Sequence, residues 1–260
     1  MSSLTHTVAD STTMLRRSLR HTLRYPASMV TSLAIPVLLL LLFVGVFGGA
    51  IGAGIVHDGG GYIDYIVPGI LLVTVGYGAS TTALAVNKDM TEGIIDRFRT
   101  MAIARSSVLT GHVLAATIRT FVSMALVIGV ALPMGFRPTT DPVRWVAAAG
   151  VVLLLVLALT WLAVAIGLAS PTVEGTTGFL LIVQVLPFVS SAFTTTESMS
   201  GPVRWFAQNE PFTPIIDTVR GLLMDTPVGG RGIVAVAWCV GLALAGYLWA
   251  RAAFSRPPRP

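Results

Sequence analysis

Stretches of about 20 consecutive apolar residues recur along this chain, and nothing else in it constrains the fold as much. A helix of that length rises about 30 Å, the thickness of a bilayer's hydrocarbon. In hydrocarbon the backbone must satisfy its own hydrogen bonds, which a helix does within a single segment. Of the 260 residues, 54% are hydrophobic and 11% charged. Soluble domains carry about 25% charged residues. No polar stretch here is long enough to bury a core of its own. The expected fold class is therefore all-α integral membrane, with one transmembrane domain over residues 1–260.

The pattern predicts six transmembrane helices, at about 29–49, 65–86, 113–136, 143–168, 178–196 and 232–249. Pro36 is an expected kink in the first. Gly45, Gly48, Gly49 and Gly52 offer close helix approach. Before the first span, Leu15, Leu19 and Leu23 form a stripe flanked by Arg16, Arg17, Arg20 and Arg24. That reads as an amphipathic interfacial helix within residues 1–28. Residues 197–230 read as a long connecting segment and 250–260 as a polar tail. Twelve of the 17 Lys and Arg residues, Arg119 counted among them, fall on the side that holds both termini and residues 87–112. The excess of basic residues marks that side as cytoplasmic. The expected location is the cell membrane, multi-pass, with 197–230 outside.

The basic net charge follows the span ends, so it argues for membrane lipids as neighbours and against nucleic acid. Cys239 lies alone in an apolar run, which excludes a disulfide framework and a cysteine metal site. His6, His21, His57 and His112 are scattered, and no nucleotide-binding or zinc-protease motif is present. No catalytic residue and no metal ligand is assigned. A polytopic membrane enzyme or a non-transporting scaffold is the alternative class. Such an enzyme would need clustered acids or histidines, and the nearest acids, Glu174 and Glu197, fall on opposite sides. A secondary transporter would want charges in mid-span and internal repeats.

Between the second and third spans lies NKDMTEGIIDRFRTMAIARSSVLTGH, Asn87 to His112. Its TEGIIDRFRTM portion predicts a short helix. Ile94, Ile95, Phe98 and Met101 form one apolar face, with Glu92, Asp96, Arg97 and Arg99 mainly around the rest. Thr91 is placed to cap it, with Glu92 in the first turn. Two readings stand side by side on physical grounds: a helix docking a soluble partner, and one resting on anionic headgroups through Arg97, Arg99 and Arg105.

The run EGIIDRFRTMAIARSSVLTG resembles the E/S-G-x-x-D-R-x-R-x-M-P-x-x-R-x-x-x-L-x-G stretch of ABC-2 type permeases, closest to the daunorubicin-resistance-type exporters of actinobacteria. Further on, NEPFTPIIDTVRGLL is similar to that family's N-P-x-T-x-x-x-D-x-x-R-x-L-L. Ala102 stands where the family has proline, and Glu210 intervenes between Asn209 and Pro211. The resemblance implies the ABC-2 (type V exporter) fold and a cytoplasmic coupling helix carrying Glu92, Gly93, Asp96, Arg97 and Arg99. It implies export of an amphipathic drug, antibiotic or lipid-like molecule by alternating access. It also implies two partners: an ATP-binding cassette ATPase subunit, which would hold the ATP and magnesium, and a second permease, expected as a second copy in a homodimer with a similar permease as the alternative. The chain itself would need no cofactor and would be non-catalytic.

The family's substrate passes between the second and fifth spans of two protomers. In this chain Thr74, Tyr77 and Thr81 share a helical face of the second span. Gln184, Pro187 and Ser191 do so in the fifth, with Phe188 beside them. Polar groups in a bilayer face other helices or a cavity. The faces are therefore either pathway lining or interhelical hydrogen bonding, the latter worth about 0.6 kcal/mol per bond.

Overall fold

The computed structural model describes residues 26–55, 61–92 and 105–254. All its regular elements are helical. α1 (Pro26–Leu41) carries Pro36 without breaking, runs into one π turn (Leu42–Val46), and is followed by α2 (Gly48–Ile55). Then come α3 (Tyr62–Thr91), α4 (Arg105–Ala131), α5 (Pro142–Ala169) and α6 (Val173–Val185). A 3-10 turn, Leu186–Val189, prolongs α6, and a second occupies Thr196–Ser198. α7 (Gly201–Asn209), α8 (Phe212–Leu223) and α9 (Arg231–Phe254) complete the chain. The interfacial helix expected over 1–28 lies outside the described residues except for its last three, which open α1. Gly93, Asp96, Arg97 and Arg99 lie outside them too.

Four helices among the described residues are long and apolar enough to cross a membrane: Tyr62–Thr91, Thr110–Ala131, Pro142–Ala169 and Arg231–Phe254. Ala34–Val46 and Val173–Val189 are shorter apolar helices. Local chemistry sets several ends. Asp141 Oδ1 accepts from Val143 N at 2.9 Å and caps α5 with Pro142 in its first turn. Thr172 Oγ1 accepts from Gly175 N at 3.1 Å and starts α6, with Glu174 in the first turn. The fifth helix thus begins at Val173, earlier than the expected 178. Pro187 has no N–H to donate, so the α-helix gives way before it.

α3 is the central element, packed against α5, α4, α1, α6 and α8. At about 45 Å it spans the whole stack. α9 lies against α5 and leaves Ile233, Trp238, Leu244, Tyr247 and Leu248 exposed. On α4, Leu114, Ile118, Val122 and Leu126 form a single outward stripe at every fourth residue. Such rows are costly in water and ordinary against hydrocarbon or a second apolar subunit.

Of the expected glycines only Gly52 meets a neighbouring helix closely, and the tightest approaches occur at others. A Cβ on Gly167 of α5 would stand 2.6 Å from the Ala83 carbonyl oxygen of α3. One on Gly246 of α9 would stand 2.7 Å from Leu162 N of α5. Gly69 of α3 meets Ala192 in the same way, at 2.7 Å. Gly45 and Gly49 face nothing within 4 Å, while a Cβ on Gly52 would stand 3.2 Å from Tyr62 Cβ of α3. Backbone-to-backbone contact needs small residues on the facing surfaces, and those faces are on α3, α5 and α9.

Residues 197–230, expected as a long connecting segment, hold α7 and α8, and α8 buries Phe212, Ile215, Ile216, Val219 and Leu223 against α3, α5 and α9. The spacing of these residues is that of one helical face. Gly246→Val should lower the thermal stability of the purified permease by about 1–3 kcal/mol, the usual cost of overpacking a tight contact. Gly45→Val, with open space around it, is the matched control. Equal losses in melting scans of the two would contradict the close contact of α9 with α5.

Candidate functional site

The helices bring polar side chains together in three places. The densest is the end of the bundle where α8 sits. Asp217 and Arg220, one turn apart on α8, form an ion pair at 2.8 Å, with side chains only 13% and 16% exposed. Arg220 also donates from Nε to the Tyr65 carbonyl at 3.0 Å and from Nη2 to the Ser191 carbonyl at 2.7 Å. Its guanidinium lies 3.8 Å from the centre of the Tyr65 ring. Ser191 Oγ donates to Asp217 Oδ1 at 2.8 Å, and Arg231 of α9 reaches Asp217 Oδ2 at 2.5 Å. Tyr65 Oη donates to the Ser191 carbonyl at 3.0 Å. One carboxylate and one guanidinium thus tie α3, the chain after α6, α8 and α9 together. Removing either partner would leave a half-buried charge, at a cost of up to about 3–5 kcal/mol.

The same end is braced around its rim. Asp64 Oδ1 accepts from Arg137 N at 3.0 Å, and Thr139 N donates to the Leu223 carbonyl at 2.7 Å. Arg144 pairs with Asp225 at 2.6 Å. Asp225 has φ 59, the left-handed turn that ends α8, and Thr226 N closes it by donating to the Gly221 carbonyl at 2.9 Å.

Glu210, the residue that separates Asn209 from Pro211, caps α8. It is 5% exposed, and its carboxylate accepts from Phe212 N at 2.7 Å and from Thr213 N at 2.5 Å. Burial pushes its carboxyl up to about 7, against the two backbone donors that favour the charged form.

The second place is the facing surfaces of α3 and α6. Gln184 Nε2 donates to Ser80 Oγ at 2.7 Å and joins the two helices. Tyr77, Thr81 and Gln184 are half-buried, and Phe188 is exposed, stacked 4.8 Å from Phe193. Thr74 and Ser191 are placed differently. Thr74 is 2% exposed and donates to the Ile70 carbonyl of its own helix at 2.8 Å. Ser191 is buried in the Asp217 cluster, because the helix has ended before it and the seven-residue register from Gln184 does not hold. Arg119, counted by its charge with the cytoplasmic flank, stands inside the span. Its Nη2 donates to Thr81 Oγ1 at 3.2 Å and Thr82 Oγ1 at 3.0 Å.

The third place is the opposite end, where α3 finishes and α4 begins. His112 approaches Asp89 at 3.2 Å across the two helices. Asn87 Nδ2 donates to the Gly167 and Ser170 carbonyls at 3.2 and 2.9 Å and holds α3 to the α5–α6 turn. Glu92, the one described member of the expected coupling set, is exposed and pairs loosely with Lys88 at 3.7 Å. A surface pair of this kind contributes about 0–1 kcal/mol, so Glu92 is free to exchange partners.

The sequence alone assigns no role to Asp217, Arg220 or Glu210, although Asp217 and Arg220 lie in the motif NEPFTPIIDTVRGLL. The helical spacing from Phe212 to Leu223 is the signal that α8 is buried. For Arg119 the signal is a lone basic residue inside a span of 24 expected residues.

A model of the ABC-2 type transporter family matches residues 11–224, which covers the helices up to α8. Among curated relatives, the chain is 26% identical over 238 residues to the daunorubicin resistance ABC transporter permease protein DrrB1 of Streptomyces coeruleorubidus, covering 91% of this chain and 80% of that protein. It is 25% identical over 190 residues to the probable doxorubicin resistance ABC transporter permease protein DrrC of Mycobacterium tuberculosis, covering 73% of this chain and 68% of that one.

The cap makes one pH dependence. Glu210 holds its proton up to about 7 when folded, against an ordinary value of 4.5. Between those values the native state binds more protons than the unfolded chain, so stability falls as pH rises through that window. The loss is at most roughly 3 kcal/mol. Melting temperatures of the purified permease should decline from pH 5 to pH 8, and Glu210→Gln should flatten the decline. An identical slope in the variant would assign the dependence elsewhere.

Proposed function

The chain belongs to the ABC-2 type transporter family and is the transmembrane permease of an ABC exporter; we propose that it moves an amphipathic drug, antibiotic or lipid-like molecule outward by alternating access. The family match over residues 11–224 is the observation that carries this reading. Two relatives named for resistance to daunorubicin and doxorubicin support an amphipathic substrate.

In this reading Ala34–Val46 and Val173–Val189 complete six crossings with the four long helices. Both termini and residues 87–112 lie in the cytoplasm, and the α8 end lies outside. A second copy of the chain supplies the other half of the pathway, with Tyr77, Thr81, Gln184 and Phe188 on its walls. Their partial exposure supports that role; Thr74 and Ser191 would act behind the wall, as packing. Glu92, Gly93, Asp96, Arg97 and Arg99 contact a cassette ATPase, which binds ATP and magnesium and performs the hydrolysis. Nucleotide-driven closure of that partner moves the segment between α3 and α4. The Asp89–His112 contact and the Asn87 hydrogen bonds pass the displacement to α3, α4 and α5.

The acids best placed for a membrane enzyme do not favour that alternative. Glu174 opens α6 at the end where α3 finishes, and Glu197 lies in the 3-10 turn beside the α8 end.

Glu92→Arg and Arg97→Glu should each leave the permease inserted in the membrane. Each should lower substrate-stimulated ATP turnover and recovery of the ATPase in co-purification. If both reversals leave turnover and recovery unchanged, this segment does not dock the ATPase.

A further inference from the structure

Arg119 lies near the middle of Thr110–Ala131, about 14 Å along the helix from its start. A guanidinium has five N–H donors and stays charged. Here Nη2 uses its two on Thr81 and Thr82. Both hydroxyls already give their hydrogens to the Gly78 carbonyl at 2.9 Å, so they present lone pairs only. The donors on Nε and Nη1 have no acceptor among the described residues. No carboxylate of those residues lies within ion-pair distance of Arg119.

A second copy of the chain does not cure this. α4 and α5 contain no Asp or Glu, and neither do α1 and α9. The acids of α3 are Asp64 in its first turn and Asp89 near its last, and α6 has only Glu174 in its first turn. Among the described residues, a second copy therefore offers carboxylates at the ends of these helices and none along their middles. Lipid phosphates stand at the bilayer surface, while this side chain is turned sideways onto α3. A charge left half-paired in hydrocarbon is expensive, and such residues mark ligand pathways.

The surroundings fit a ligand. Tyr77 lies one turn from Thr81 on the same face of α3, and both are partly exposed. Gly78 lets α4 come this close: a Cβ there would run into Thr120 Oγ1. The guanidinium and the two hydroxyls thus meet where Gly78 lets α3 and α4 approach closely.

We propose that Arg119, positioned by Thr81 and Thr82, recognises an acidic group on the transported amphiphile. Its open donors would take a carboxylate or phosphate oxygen pair. This rests on the exporter reading and narrows its substrate class to molecules with an anionic head on an aromatic or aliphatic body.

The test uses three molecules with one scaffold: pyrenebutyric acid, its methyl ester and pyrenebutylamine. Binding to the full-length permease in phosphatidylcholine nanodiscs is followed by tryptophan-to-pyrene energy transfer. The acid should bind at least about tenfold more tightly than the amine, the ratio expected of one charge-assisted bond pair. Arg119→Gln should bring the three within about twofold of one another, and Arg119→Lys should keep most of the preference. Melting scans confirm that the variants are folded. The wild type itself overturns the proposal if acid and amine bind equally, whatever the variants do. So does an acid preference that survives Arg119→Gln. A repeat in phosphatidylglycerol nanodiscs separates the lipid. If that lipid alone stabilises the wild type through Arg119, and the acid has no advantage in phosphatidylcholine, the substrate assignment is overturned. ATP turnover of the permease with its ATPase is measured in parallel. Charge-selective binding without stimulated turnover upholds the Arg119 site and counts against the exporter reading instead.

Discussion

Inside hydrocarbon a polar group finds its partner in protein or ligand, because water is absent. Arg119, inside a span, and Arg220, on α8, find their partners in opposite ways. Arg220 has a carboxylate, two backbone carbonyls and an aromatic face around it. Arg119 has two threonine hydroxyls that are themselves committed to a backbone carbonyl. The first arrangement closes on itself and makes a fixed corner. The second stays open to one side, and that is the mark of a group reserved for something else.

The closed corner explains how α8 exists at all. A helix of 12 residues turned in among spans must bury an apolar face and cap both ends. Its face is supplied from Phe212 to Leu223, its start is capped by Glu210, and its finish turns through Asp225. Asp217 and Arg220 then bind it to α3, α9 and the chain after α6. At the opposite end Asp89 meets His112, and Asn87 bonds to the α5–α6 turn.

Length and hydropathy make α3, α4, α5 and α9 legible in the sequence, because hydrocarbon thickness imposes one pattern on every long span. The ends are less legible. Pro187 stops α6 before Ser191, so a seven-residue spacing that looks helical is not one face. Packing contacts are hidden for a different reason. Gly167 and Gly246 look no different in sequence from Gly45 and Gly49; only the neighbouring backbone separates them. The polar residues of 197–230 suggest water and mask the apolar rhythm beneath them. A counting rule that treats every basic residue as an anchor puts Arg119 on a flank. The two sequence motifs point to the family, while the bonds that Asp217 and Arg220 make appear only when α8 is folded against α3.

Thiol labelling in intact cells tests the membrane arrangement most directly. Single cysteines replace Ser200, at the start of α7, and Ser106, at the start of α4, in a Cys239→Ser background. A membrane-impermeant maleimide should label position 200 in intact cells and position 106 only after the membrane is opened. Labelling of position 106 and protection of position 200 in intact cells would place α8 in the cytoplasm and contradict the coupling of residues 87–112 to an ATPase.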